Sequence, residues 1–118
     1  MGITVYQYPG CDTCRKALKW MKTRDLEFQP VHIVDSPPSR SEAEDLWRRS
    51  GLPLKKLFNT AGRSYRDGGF SKRLPEMSES EALDALAADG KLIKRPLLDA
   101  GSTVLVGFSE ERYDEALA

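Results

Sequence analysis

Ile3-Thr4-Val5-Tyr6-Gln7-Tyr8-Pro9-Gly10-Cys11-Asp12-Thr13-Cys14-Arg15-Lys16-Ala17-Leu18 carries a strand, a break and the start of a helix, in that order. Ile3 to Tyr8 is apolar on both faces and rich in β-branched and aromatic residues, the pattern of a central strand. Pro9-Gly10 breaks it. From Cys14 the apolar positions Ala17, Leu18 and Met21 follow helical spacing, while Arg15, Lys16, Lys19 and Lys22 point elsewhere. Phe28 to Val34 reads as a second strand, with Pro30 near its start and His32 inside it. Together these make a β-α-β opening, which calls for parallel pairing and a right-handed crossover.

Outward from that opening, Pro37-Pro38 is a break. Ser39 and Glu42 form a capping box for a helix carrying Ala43, Leu46 and Trp47. Gly51 suits its end, and Pro53 suits the first position of a short helix through Phe58. Asn59 to Gly69, with Gly62, Gly68 and Gly69, reads as loop. Ser78 and Glu81 form a second capping box, opening a helix with Ala82, Leu83 and Leu86 that stops before Gly90. Leu97-Leu98 and Thr103 to Val106 flank the hairpin turn Asp99-Ala100-Gly101-Ser102. Ser109 caps a last helix using Tyr113, Ala116 and Leu117. The order predicts an α/β fold, a mixed sheet flanked by helices on both sides. One domain is expected over residues 1–118, with a helical insertion at about 37–92 between the β-α-β and β-β-α halves.

Composition removes whole classes of function. Lys+Arg 18 against Asp+Glu 18 leaves no net charge. No global field therefore gathers nucleic acid or an anionic membrane, and neither is expected as a direct partner. Two cysteines make no disulfide framework, and with the single histidine they fall short of an ordinary four-ligand zinc site, so no metal is expected. The first residues lack the basic region and apolar core of a signal peptide, and no apolar run is long enough to span a bilayer. The expectation is a cytoplasmic monomer. Lys55, Lys56, Arg63, Arg66, Lys72 and Arg73 stand against Asp67 alone, and the tail from Glu76 is mostly acidic. Such a split is ordinarily a solvated face, though it could also guide an anionic substrate or a protein partner.

Cys11-Asp12-Thr13-Cys14 lies where the first strand hands over to the first helix. Unpaired N–H groups and the macrodipole at a helix N-terminus favour a thiolate, and Arg15 and Lys16 add positive charge. Cys11 is expected to be the exposed attacking thiolate. Cys14, one turn along and on the inward stripe, is expected to be the resolving thiol. The same spacing is compatible with half of a metal site shared with another chain, or with no function. Arg95 could present its guanidinium fork to an oxyanion or carboxylate near Cys11, or be an ordinary surface arginine. His32 is read as a structural strand residue rather than half of a Cys–His dyad.

Tyr8-Pro9-Gly10-Cys11-Asp12-Thr13-Cys14-Arg15-Lys16-Ala17, Pro37-Pro38-Ser39, Leu92-Ile93-Lys94-Arg95-Pro96 and Val106-Gly107-Phe108-Ser109-Glu110 resemble the glutaredoxin-linked arsenate reductase (ArsC) and Spx regulator family. The likeness runs over nearly the full chain and is greatest to a short branch that keeps the C-x-x-C. It implies a thioredoxin-like fold, with Pro96 as a cis proline opposite the cysteines. It implies Cys11, Cys14 and Arg95 as catalytic residues, and Asp12, Thr13, Arg15, Asn59 and Pro96 as the substrate-binding set. No bound cofactor is implied. Glutathione or a glutaredoxin/thioredoxin system would supply electrons. Arsenate reductases of the family have a serine at the position of Cys14 and three arginines around the oxyanion. Arg95 matches one, whereas Asn59 and Gly107 take the other two positions, which removes much of the charge that holds such an anion. The leading expectation is therefore a thiol–disulfide oxidoreductase. Arsenate reduction and a redox-sensing regulator that binds RNA polymerase are the alternatives.

Overall fold

The computed structural model describes residues 2–117; Met1 and Ala118, the ends of the expected domain, lie outside the described residues. β1 (Thr4–Gln7), α1 (Asp12–Thr23) and β2 (Gln29–His32) form the β-α-β opening, with β1 and β2 parallel. β2 ends two residues earlier than the pattern predicts. The backbone N–H groups of Val34 and Asp35 turn back to donate to His32 Nδ1 at 3.3 and 3.1 Å, which bends the chain out of the sheet. The strand order is β2-β1-β3-β4. Pro30 thus sits on an edge strand, where its missing N–H costs no ladder bond.

Between β2 and β3 the chain is helical. α2 (Arg40–Ser50) and α5 (Glu79–Ala88) each open with the expected reciprocal cap, Ser39 with Glu42 and Ser78 with Glu81. Gly51 ends α2 in the left-handed region at φ 70°, where glycine carries no Cβ penalty. A 3-10 turn at Leu54–Leu57 follows Pro53. The reading of Asn59 to Gly69 as loop is corrected: α3 (Arg63–Asp67) lies inside it, followed by α4 (Phe70–Arg73). Tyr65, at 6% exposure, packs between Phe58 and Phe70 with ring centroids 6.3 and 5.9 Å away. That non-local aromatic cluster supplies what the glycine-rich local sequence does not.

β3 (Leu97–Asp99) and β4 (Val104–Val106) form the expected antiparallel hairpin, and Gly101 takes φ 87° in its turn. α6 (Glu110–Leu117) follows, with Ser109 Oγ accepting from the Arg112 N–H at 3.4 Å.

Period-two alternation splits the core between the two sheet faces. Val5 and Leu98 are cross-strand partners and pack with Ala17, Trp20 and Met21 of α1 and Tyr113 of α6. Leu97 and its partner Val106 face the other way, against Leu46, Phe58, Leu86 and Ile93 of the helical segment. Burying each such aliphatic side chain contributes about 1.5–3 kcal/mol, so the sheet is held from both sides. On α1 the buried stripe is Cys14, Ala17, Trp20 and Met21, with Leu18 only half-buried. Trp20 takes the inward position because its ring packs edge-on against Tyr113 at 5.5 Å.

Candidate functional site

The site grows from the handover between β1 and α1. The Cys11 N–H donates to the Tyr8 carbonyl at 3.0 Å, closing the Pro9-Gly10 turn. Cys11 then occupies the N-cap of α1 with extended backbone, φ −98° and ψ 117°. Its Sγ takes the part usually played by a serine or aspartate oxygen, accepting the Cys14 N–H at 3.3 Å. Cys11 is half-buried and Cys14 fully buried, the outward and inward placement expected from the helix pattern.

Their electrostatics diverge. Burial pushes the Cys11 thiol up, but hydrogen bonds from the Cys14 thiol and backbone N–H, together with the Arg95 guanidinium, bring it net below the ordinary thiol range. Cys14 is pushed up to about 12, by burial first and then by its hydrogen bond to Cys11 and the charge there. One thiol is thus prepared to ionise while its neighbour keeps its proton.

Arg95 reaches this site from the segment before β3. An isolated antiparallel bridge between Phe58 and Ile93 joins the two segments. Asn59 N–H donates to the Leu92 carbonyl and Lys94 N–H to the Leu57 carbonyl, each at 2.7 Å, so Asn59 comes beside Arg95. The Arg95–Pro96 peptide is cis, as the resemblance implies. The guanidinium carbon lies 4.9 Å from the centroid of Tyr8, and Nε and Nη1 are buried with no hydrogen-bond partner.

A cavity of about 460 Å³ opens onto Cys11, lined also by Thr13, Asn59, Lys94, Arg95, Gly107 and Arg112. The structure therefore brings together Cys11, Thr13, Asn59 and Arg95, with Cys14 behind them. Asp12 and Arg15 do not line this cavity. They form an exposed ion pair with each other, and Arg15 Nη1 donates to the Pro9 carbonyl at 3.0 Å. Pro96 is buried and does not line it either. His32 meets the edge of Tyr8 at 5.5 Å and uses Nδ1 to fold the end of β2, a structural task.

Sequence reasoning passed over Tyr8 as the platform for Arg95, and Arg112 as a wall of the cavity. Arg112 comes from α6 and meets Lys94 over Gly107. A Cβ placed on Gly107 would lie 3.3 Å from Lys94 Cε and 3.7 Å from Arg112 Nη2. No local motif announces that meeting, because the β3–β4 hairpin brings the two residues together. Among the described residues no group of three or more His, Cys, Asp or Glu gathers in a metal-holding cluster. No helix there is long and apolar enough to cross a membrane.

A mixed four-stranded sheet with helices on both faces and a cysteine pair at the N-terminus of its first helix defines a thioredoxin-like α/β protein. Comparison narrows the class: the sequence model of the ArsC family matches residues 6–116, and the chain belongs to that family. It is 49% identical over 115 residues to the uncharacterized protein YusI of Bacillus subtilis, covering 98% of both chains. At 26% identity over 109 residues it is similar to the global transcriptional regulator Spx of Streptococcus pyogenes, covering 92% of this chain and 80% of that one. The fold superposes on an ArsC-family-related protein from Bacteroides fragilis with a TM-score of 0.94 at 43% identity, covering 98% and 97% of the two chains. A possible arsenate reductase from Streptococcus mutans gives a TM-score of 0.86 at 39% identity, over 95% and 97%.

Proposed function

We propose that this protein is a thiol–disulfide oxidoreductase in which Cys11 attacks and Cys14 resolves. The observation that carries the reading is the placement of the two thiols: Cys11 Sγ caps α1, accepts the Cys14 N–H at 3.3 Å and opens onto the cavity beside Arg95, while Cys14 is buried behind it one turn along. That environment holds the Cys11 thiol below the ordinary range and pushes Cys14 up to about 12. In the first step the Cys11 thiolate attacks one sulfur of a substrate disulfide. The Cys11–sulfur bond forms, the substrate S–S bond breaks, and the departing thiolate takes a proton from solvent. Cys11 then carries no charge and no longer accepts from Cys14, so two of the causes holding the Cys14 proton disappear. Cys14 gives that proton to solvent and attacks Cys11 Sγ. The Cys11–Cys14 disulfide forms as the second substrate thiolate leaves and is protonated. Two electrons have passed to the substrate. Glutathione or a glutaredoxin/thioredoxin dithiol returns them, and a reducing cytoplasm suits the cycle.

Equilibration of the pair with glutathione or dithiol buffers tests this. A potential within about −220 to −320 mV supports a redox-active couple that cycles or senses, and reduction of a substrate disulfide under multiple turnover then marks it as cycling. A much more negative value marks a structural bond and overturns the reading.

Arsenate reduction is a second reading, favoured by the two unpartnered nitrogens of Arg95 beside Cys11. Arsenate-dependent turnover coupled to glutathione and glutaredoxin decides it, and silence with every donor of that kind retires it.

A further inference from the structure

The cavity at Cys11 does not end there. A second cavity of about 480 Å³ shares Lys94, Val106 and Arg112 with it and continues to Lys55 and Lys56, over a floor that includes Leu52 and Phe58. Five cations therefore line one connected trench: Arg95, Lys94, Arg112, Lys55 and Lys56. No carboxylate lines either part.

Elsewhere on this neutral chain several arginines meet acids, although among the described residues Arg63, Arg66, Arg73 and the lysines outside the trench are also without an ion pair. Arg24 pairs with Asp114, Arg40 with Glu44 and Asp84, Arg48 with Glu44, and Arg49 with Asp45 and Asp99. Among the described residues none of the five trench cations has an ion-pair partner. Gly107, at φ 80° and without a side chain, leaves room for Lys94 and Arg112 to converge at the junction of the two cavities. Lys55, Lys56, Lys94 and Arg112 are all exposed, so their charges are available to a visitor.

We infer that this trench docks an acidic polypeptide segment next to the disulfide that Cys11 attacks. For the fate of the docked segment the inference rests on the oxidoreductase reading, whereas the docking itself does not. Extent selects a polypeptide over a small thiol. The cavity at Cys11 is by itself large enough for a small ligand. The Lys55–Lys56 half lies beyond it and touches neither cysteine, so only a ligand longer than the reacting group uses both. Complementary charge along such a surface chiefly raises the association rate and selects the partner.

The test uses the reduced full chain and two fluorescein-labelled short peptides lacking cysteine, one rich in Asp and Glu, the other its Asn and Gln twin. Fluorescence anisotropy should show the acidic peptide binding about tenfold more tightly. That advantage should disappear as salt rises from about 20 mM to about 500 mM. The double substitution Lys55→Gln and Lys56→Gln, and separately Lys94→Gln, should each weaken the acidic peptide severalfold and leave the twin unmoved. Equal affinity for the two peptides overturns the inference.

Disulfide-linked versions of the same peptides separate the two claims. Charge-selective binding with no disulfide reduced sinks the oxidoreductase reading and keeps the docking site. Reduction at equal rates for both peptides does the reverse. Oxidised glutathione is the third arm: if its reduction falls with Lys55→Gln and Lys56→Gln as far as that of the acidic peptide, the trench serves a small anionic thiol and the polypeptide assignment fails.

Discussion

Arg95 lies on the face of Tyr8 with two nitrogens buried and unpartnered, and a cation so placed is best compensated by a thiolate at Cys11. Alkylation of Cys11 followed against pH should therefore show a midpoint below the free-thiol value of about 8.5. Arg95→Gln should move that midpoint upward, and Arg95→Lys should restore part of the shift, since the charge returns without the planar fork. A midpoint that ignores residue 95 would mean the Cys14 thiol and the helix N-terminus set the thiolate without it. Cys14 gives the opposite sign. Its folded pKa is raised, so its contribution to stability is complete below the unfolded thiol value and is lost as pH climbs towards about 12. At this scale Gly90 is the sharpest packing constraint. A Cβ built there would collide with the backbone carbonyl of Ile33, which has no side-chain freedom to move aside. Gly90→Ala should cost about 2 kcal/mol or more in urea unfolding, and a loss under about 0.5 kcal/mol would show that the segment shifts freely.

Elements report how far local chemistry reaches. Both capping boxes are written in four residues, Ser39 to Glu42 and Ser78 to Glu81, and both form with all their hydrogen bonds between 2.9 and 3.2 Å. Ser39→Ala and Ser78→Ala should each remove about 1 kcal/mol in urea unfolding. The cysteine pair is equally legible, because strand, break and helix N-terminus are contiguous. α3 is not: its five residues depend on Tyr65 finding Phe58 and Phe70, and no periodicity can show that in so short a segment. The trench wall made by Lys94 and Arg112 is hidden for a similar reason, being assembled by a hairpin rather than by spacing. Elements are also tied by charge. Arg49 of α2 grips Asp99 of β3 at 2.6 and 3.0 Å, and this pairing first, then the Gly101 N–H, holds the Asp99 carboxyl below its usual range against the effect of burial. The sign follows: this stability is present above about pH 4 and lost as pH falls through the folded value. Arg49→Met should destabilise at neutral pH, and the gap from wild type should narrow in acid.

At the scale of the molecule the two hydrophobic clusters share one thin sheet. Val5 and Leu98 belong to the side of α1 and α6, while Leu97 and Val106 belong to the side of the helical segment. Adjacent residues of β3 therefore anchor opposite halves of the core, and neither half keeps its packing surface if the sheet dissolves. Arg40 of α2 adds a tie within the helical side, reaching Asp84 and Ser80 of the α5 segment at 3.2 and 3.0 Å. We propose on this ground that the chain unfolds as one cooperative unit. The two tryptophans are suitably placed to report it: Trp20 packs in the α1–α6 cluster, and Trp47 packs against the helical side with its indole N–H on the Leu52 carbonyl at 2.8 Å. Trp20→Phe and Trp47→Phe leave one reporter each, and each variant should give the same urea midpoint by its remaining fluorescence as by far-UV circular dichroism. Comparing probes within one variant removes the effect of the substitution on stability. If Trp47 fluorescence changes before the circular dichroism in the Trp20→Phe chain, the helical segment unfolds by itself and the shared sheet does not couple the halves.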